Sequence, residues 1–297
     1  MNTSQIIQIA TPKLPTLAER AILVNLTLGI WDGYRYSEAA TLDGFGSKDL
    51  GRANKALLKH SRLFKETKAA FNAIRTLTYD ETVPWKDKGQ RLLPSANYLE
   101  FTNKLSAAIN AAKAKLALLD QSMPNEIAVD KAHFDQSAHA SGKPSLFDPK
   151  DYPADITKRF YAEVTFEPIP SSKDFRVDVS EEHRAALDAA VMNAQNKITE
   201  HLIAEIAKPM KQLAEHLAKP TDDVKRFHDS IVLNVEDTVQ RLRKLNINND
   251  ANVDALLAEV SRQMKPYTVT PEVLKDSSTA RAAAKAKLDS MLGALGL

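Results

Sequence analysis

The chain has 297 residues, 43% of them apolar and 26% charged, the composition of a soluble globular protein long enough to bury a real core. With no cysteine, disulfides, thiolate zinc sites and a cysteine nucleophile are excluded. The net charge of +2 gives no whole-molecule attraction to nucleic acid, and no apolar run approaches the ~20 residues of a membrane helix.

Glycine is scarce, at 9 residues, while Ala, Lys and Leu are abundant; this favours helix. Residues 1–20 read as a flexible lead-in broken by Pro12 and Pro15, without the basic start and apolar core of a signal peptide, so a cytoplasmic protein is expected. Residues 21–31 alternate, with Val24, Leu26, Leu28 and Ile30 on one side and Asn25, Thr27 and Gly29 on the other, which predicts a strand. A short helix is expected over 32–41. A loop over 43–48 follows, and Ser47 is placed to cap a helix running to about His60. Arg62–Tyr79 carries Phe64, Phe71, Ile74 and Leu77 near one stripe and predicts a further helix.

Residues 82–89 read as a loop and 95–119 as a long helix. The stretch 123–152 is the least regular, with breaker clusters around Ser141–Ser145 and Phe147–Pro153 and a short helix over 128–136. Residues 153–158 form one helical turn at most. A β-hairpin is predicted from strands at 159–168 and 174–180, because Tyr161, Glu163, Thr165 and Glu167 alternate with Ala162, Val164, Phe166 and Pro168. Two strands are too few to stand alone in water, so the hairpin is expected to pair with 21–31.

The clearest helical signal follows Ser180. Leu187, Val191, Ala194, Ile198, Leu202, Ile206, Met210, Leu213 and Leu217 step by threes and fours, and Pro209 is expected to bend this helix without ending it. A connector over 219–222 leads to a second stripe, from Val224 and Phe227 through Val235 and Val239 to Leu245. Together they predict an antiparallel helical hairpin. Helices over 251–264 and 270–295 complete the chain. The fold class is therefore mainly α with a small antiparallel β-sheet (α+β), with a long helical hairpin or coiled-coil-like bundle. The expected parts are residues 1–20, a helical domain with the sheet at 21–180, and helices at 181–297.

The most charged stretch is Lys48–Arg75, with eight bases against two acids, a local charge of +6. Spacings of three and four place several bases, among them Arg52, Lys55, Lys59, Arg62, Lys65 and Lys68, on shared helical faces. Such a face contacts nucleic-acid phosphates, or is a solvated surface balanced elsewhere in the chain. Gly44, Gly46 and Gly51 miss the spacing of a phosphate loop, and a turn needing positive φ accounts for them. Among the seven histidines no pair has HExxH spacing; His133 and His139, near Asp130 and Asp135, offer a conceivable metal site without a third ligand fixed by spacing. Glu163 and Glu167 lie ~13 Å apart along a strand, too far for most paired acid–base work. No nucleophile elbow is present. Tyr79, Trp85, Arg91 and Tyr98 gather in an otherwise aromatic-poor chain, either as a contact surface or with Trp85 plugging the end of a bundle.

The segment Thr82–Leu99, TVPWKDKGQRLLPSANYL, resembles a signature of an uncharacterised family of bacteria and their phages, as do Leu23–Trp31, Asp49–Leu58 and Phe147–Val179 with its FDPKDYP and DFRVDV. The resemblance spans most of residues 20–200. It implies a phage or prophage source, a place in the host cytoplasm and an accessory role beside an AAA+ ATPase, and it carries no activity, cofactor or catalytic residue. The expected function is a non-enzymatic helical interaction or accessory protein with a protein partner or self-association. The alternative is a nucleic-acid-binding accessory factor using the basic residues of 48–75. No cofactor, metal or membrane is expected.

Overall fold

The computed structural model describes residues 16–85, 89–170, 180–218 and 229–296. The lead-in before Thr16, the hairpin strand expected over 174–179 and the connector at 219–222 lie outside the described residues. In chain order the elements are α1 (Leu17–Arg20), β1 (Ala21–Gly29), β2 (Tyr34–Tyr36), α2 (Glu38–Phe45), β3 (Asn54–Ala56), α3 (Arg62–Asp80), β4 (Val83–Pro84), β5 (Arg91–Pro94), α4 (Tyr98–Ser141), β6 (Tyr161–Glu167), α5 (Glu181–Leu217), α6 (Ser230–Leu245), α7 (Ala251–Val269), α8 (Val273–Asp276) and α9 (Ser278–Ala294). The fold is mainly α, with one four-stranded sheet in the order β4–β5–β1–β6 and a two-stranded sheet, β2–β3. Ala21–Val24 pair antiparallel with Pro94–Arg91, and β1 neighbours β6 on its other side, as the need for a third strand predicts.

The chain divides into two compact units, one of residues 1–24, 81–98 and 166–297, the other Asn25–Asp80 with Leu99–Thr165. In the first, Leu17, Ala21, Leu23, Val83, Trp85 and Leu92 share one core with α5, α6, α7 and α9. The apolar stripe of α5 is buried from Ala194 through Ile198, Leu202, Ile206 and Met210 to Leu217. Ser180 caps it by accepting from the His183 amide, with Glu181 and Glu182 facing the positive end of the helix dipole. Pro209 lies inside the helix, and the buried residues on either side hold it together despite the lost backbone donor.

A shared cleft and two cross-links fix the direction of α6. His216 and Ser230 line one cleft, Arg241 pairs with Glu205, and Asn248, just past α6, donates to the Gln195 carbonyl at 2.7 Å. Positions rise on one helix as they fall on the other, so α5 and α6 are antiparallel.

The second unit is built on an aromatic core: Trp31 against Phe64 with ring centroids 5.3 Å apart, and Phe71 against Phe160, also at 5.3 Å. Ile74, Phe101, Leu105, Leu119 and Ile156 are buried.

Four local expectations are corrected. The helix expected over 47–60 is instead turns and the strand β3, which pairs Asn54–Ala56 with Tyr36–Tyr34. Ser47 spends its hydroxyl on the Asp49 amide in a local turn, and Ser37 is the residue that caps a helix, accepting from Ala40. The resulting α2 begins later than expected and ends at Gly46, whose φ of +71° suits glycine. The stretch from 123, expected to be irregular apart from a short helix over 128–136, is helical to Ser141: α4 runs through Pro124 because Leu116, Leu119, Met123 and Asp130 continue its buried side. Within 82–94, expected as loop and helix lead-in, β4 and β5 pair Val83 with Leu92 and Pro84 with Arg91.

Candidate anion-binding cleft

A cleft of about 410 Å³ in the second unit is lined by Lys59, Lys65 and Lys68, with Tyr34, Phe64, Asn72 and the Asp32–Gly33 and Ala56–Leu58 segments. Three turns build it. Gly33 has φ +79°, and a Cβ there would lie 2.9 Å from the Phe64 ring, so only glycine lets this backbone approach α3. The Leu57 amide donates to the Gly33 carbonyl at 2.7 Å, carrying the β2–β3 ribbon into the cleft floor.

Leu58 follows with φ 53°, a costly conformation for a non-glycine residue. Its amide donates to Asp130 Oδ2 at 2.8 Å, and the Tyr152 hydroxyl donates to the same oxygen at 2.6 Å. Burial and the neighbouring Asp130 push the Tyr152 phenol well above its usual range, so it stays a donor. Ser61 then accepts from the Phe64 amide at 3.0 Å and starts α3. Lys59 is thereby held in the turn, and Lys65 and Lys68, three residues apart, project from one side of the helix.

The charges here are not cancelled locally. Lys59 and Lys65 are exposed, and among the described residues neither has an ion-pair partner. Lys68 donates to the Asp32 carbonyl at 3.1 Å and lies over the Phe64 ring. Asp32 turns its own carboxylate to the Tyr34 amide at 2.9 Å. The site is a concave surface with ammonium groups and an exposed ring, suited to a phosphate-bearing ligand.

The six bases named from the sequence separate. Lys59, Lys65 and Lys68 line the cleft. Arg52 lies over the Tyr36 ring, 4.9 Å from its centroid. Lys55 is no helix-surface residue: it lies on β3, its side chain 10% exposed in an ion pair with Asp151, and donates to the Leu146 carbonyl at 2.8 Å. Arg62 pairs with Glu66 at 2.5 Å, whose carboxyl is held low by hydrogen bonds from Lys115 and from Arg62.

The aromatic contact set also divides. Trp85 is buried in the core of the first unit, so it fills that core and offers no contact surface. Arg91 is buried too, donating from Nε to Thr82 Oγ1 at 2.6 Å and from Nη2 to the Thr82 carbonyl at 2.8 Å. Tyr79 is exposed. Tyr98 is 38% exposed and packs edge-on against Phe166 at 5.3 Å.

The metal reading of His133 and His139 finds its carboxylates already engaged. Asp130 serves Leu58 and Tyr152, Asp135 bonds Ser145 at 2.8 Å and pairs with Lys131, and His133 stacks on His60 with centroids 4.3 Å apart. Among the described residues no group of three or more His, Cys, Asp or Glu is arranged to hold a metal ion, and no helix is long and apolar enough to cross a membrane. Glu163 and Glu167 face solvent on β6.

Sequence reasoning missed Tyr34 and Tyr36, and placed Asp130 only beside the conceivable histidine metal site. The alternation Tyr34-Arg35-Tyr36 was the available signal for a strand, but it is short and sits inside a stretch read as helix. No family model matches the chain, and no curated protein or solved structure matches it.

Proposed function

We propose that the second unit binds a nucleic-acid strand through the Lys59–Lys65–Lys68 cleft and that the protein acts as a nucleic-acid-binding accessory factor. The observation that carries this reading is the convergence of three lysines, two of them without an ion-pair partner among the described residues, in one concave site. A solvated basic face spreads its charges or neutralises them, as Arg62 and Lys55 do here. Lysines converging on a hollow instead repel one another, and a polyanion relieves that repulsion. Affinity should fall steeply with salt, because each neutralised phosphate releases counterions. Gel shift at low salt with a single-stranded oligonucleotide tests it: a shift lost on raising the salt supports the reading, and no shift at the lowest salt counts against it.

A second reading is a protein-contact surface in the first unit. Tyr98 and Phe166 are 38% and 36% exposed and, with Ile22 and Pro168, line an open groove of about 460 Å³; exposed paired aromatics of this kind favour a partner surface. An accessory role beside a phage-type ATPase rests on the sequence resemblance alone. Light scattering of the purified protein tests self-association, and a strict monomer that Tyr98→Ser leaves unchanged would remove that form of the reading.

A further inference from the structure

We infer that the strand taken by the cleft is single-stranded and that Tyr34 and Tyr36 stack on two of its bases, an inference that rests on the nucleic-acid reading above. The ribbon β2–β3 presents the two tyrosines on one face, because Arg35 between them turns the other way and donates to the Asp151 carbonyl at 3.1 Å. Tyr34 is 55% exposed and Tyr36 38% exposed. Their cross-strand neighbours are the small Ala56 and Asn54, which do not cover the rings; Arg52 covers one face of Tyr36 and leaves the other to a base. A buried position would explain large aromatics on a ribbon this short, and these two are not buried.

The spacing decides which nucleic acid fits. Residues two apart on a strand are separated by about 6.7 Å, roughly twice the 3.4 Å step of stacked bases in a duplex. Two tyrosines at that spacing match bases drawn apart in an extended strand. A duplex hides its base faces within the stack and offers the rings nothing to stack on. Tyr34 itself lines the lysine cleft, so a base on its ring brings the adjoining phosphates to Lys59, Lys65 and Lys68. Arg52 over the Tyr36 ring gives the second position a planar cation, itself a surface for stacking a base.

The test uses the full chain and three fluorescein-labelled probes of equal length: a single-stranded oligothymidylate, a duplex and an abasic strand with the same phosphates. Wild type is expected to prefer the oligothymidylate to both others. Tyr34→Leu is expected to weaken that binding by about fivefold or more while leaving the salt dependence and the abasic affinity unchanged. Tyr34→Phe, which keeps the ring, should bind like wild type, and circular dichroism of both variants guards against a folding effect. If the abasic strand or the duplex binds wild type as tightly as the oligothymidylate, stacking is overturned while phosphate binding stands. If no probe binds wild type at low salt, the inference and the nucleic-acid reading fall together.

Discussion

The carboxylate of Asp130 accepts the Leu58 amide at 2.8 Å across 72 residues of sequence, and so holds the left-handed turn from which Lys59 projects. Asp130 is 4% exposed, in the part of α4 that the sequence shows only as a short separate helix. A lone buried carboxylate with two hydrogen-bond donors on one oxygen reads as a device for shaping backbone, and here the shaped backbone is the floor of the basic cleft.

Asp130→Ala should leave the Leu58 amide and the Tyr152 hydroxyl without their acceptor and cost about 2–4 kcal/mol. Asp120→Ala, on the exposed side of the same helix, should stay within about 0.5 kcal/mol of wild type. Urea denaturation measures both. Equal midpoints would mean that Asp130 does not hold the turn.

Leu202 is 1% exposed, and Leu202→Asp puts an unpaired charge into the core shared by α5 and α6, at an expected cost above about 3 kcal/mol. Glu200→Ala, two residues away and exposed, is the control. A denaturation midpoint for the Leu202 variant no lower than the control's would contradict the antiparallel pairing.

Arg91 was a candidate for partner contact, but its guanidinium is bonded to Thr82 inside the first unit. Arg91→Ala should therefore destabilise the fold by about 1.5–3 kcal/mol, the range for hydrogen bonds to a charged group, as read by thermal or chemical unfolding. A stability unchanged from wild type would return Arg91 to the surface role.

Burial pushes the His201 imidazole below its usual range; Glu205 opposes this, and Arg91, Lys208 and Arg241 reinforce it. The folded state then binds fewer protons than the unfolded chain once the pH drops below about 6.5, the ordinary histidine value. Stability present above that pH should be lost progressively as the pH falls below it. His201→Gln should flatten the dependence of unfolding free energy on pH over that window, and an unchanged slope would place the titration elsewhere.

The long elements were legible because their burial is periodic. α5, from Ala194 to Leu217, shows its stripe in the sequence, and Pro209 did not obscure it because Met210 and Leu213 keep the phase. β1 was legible from Val24 to Gly29 by alternation. What could not be read is held by contacts distant in sequence. β2 and β3 have three residues each, too few for a period, and are defined by each other. The helix expected over 128–136 was legible, but its continuity with α4 through Pro124 depends on burying Asp130, a residue that composition assigns to the surface. Of the cleft, the lysines were visible as a charge cluster, but which of them converge was not. Lys55 and Arg62 belong to the same charge cluster as Lys59 and Lys65, and only the fold shows that Asp151 and Glu66 neutralise the first pair.

The most direct test of the basic cleft is the salt dependence of single-strand binding, followed by fluorescence anisotropy for wild type and for Lys59→Gln and Lys65→Gln. Three phosphates neutralised by three lysines predict a slope of log affinity against log salt near −2, from about −0.7 per phosphate on single strands. Each substitution should make that slope shallower by about 0.7, whereas Lys285→Gln, in the first unit and paired with Asp289, should leave it as in wild type. A slope unchanged by both cleft substitutions would contradict the central claim.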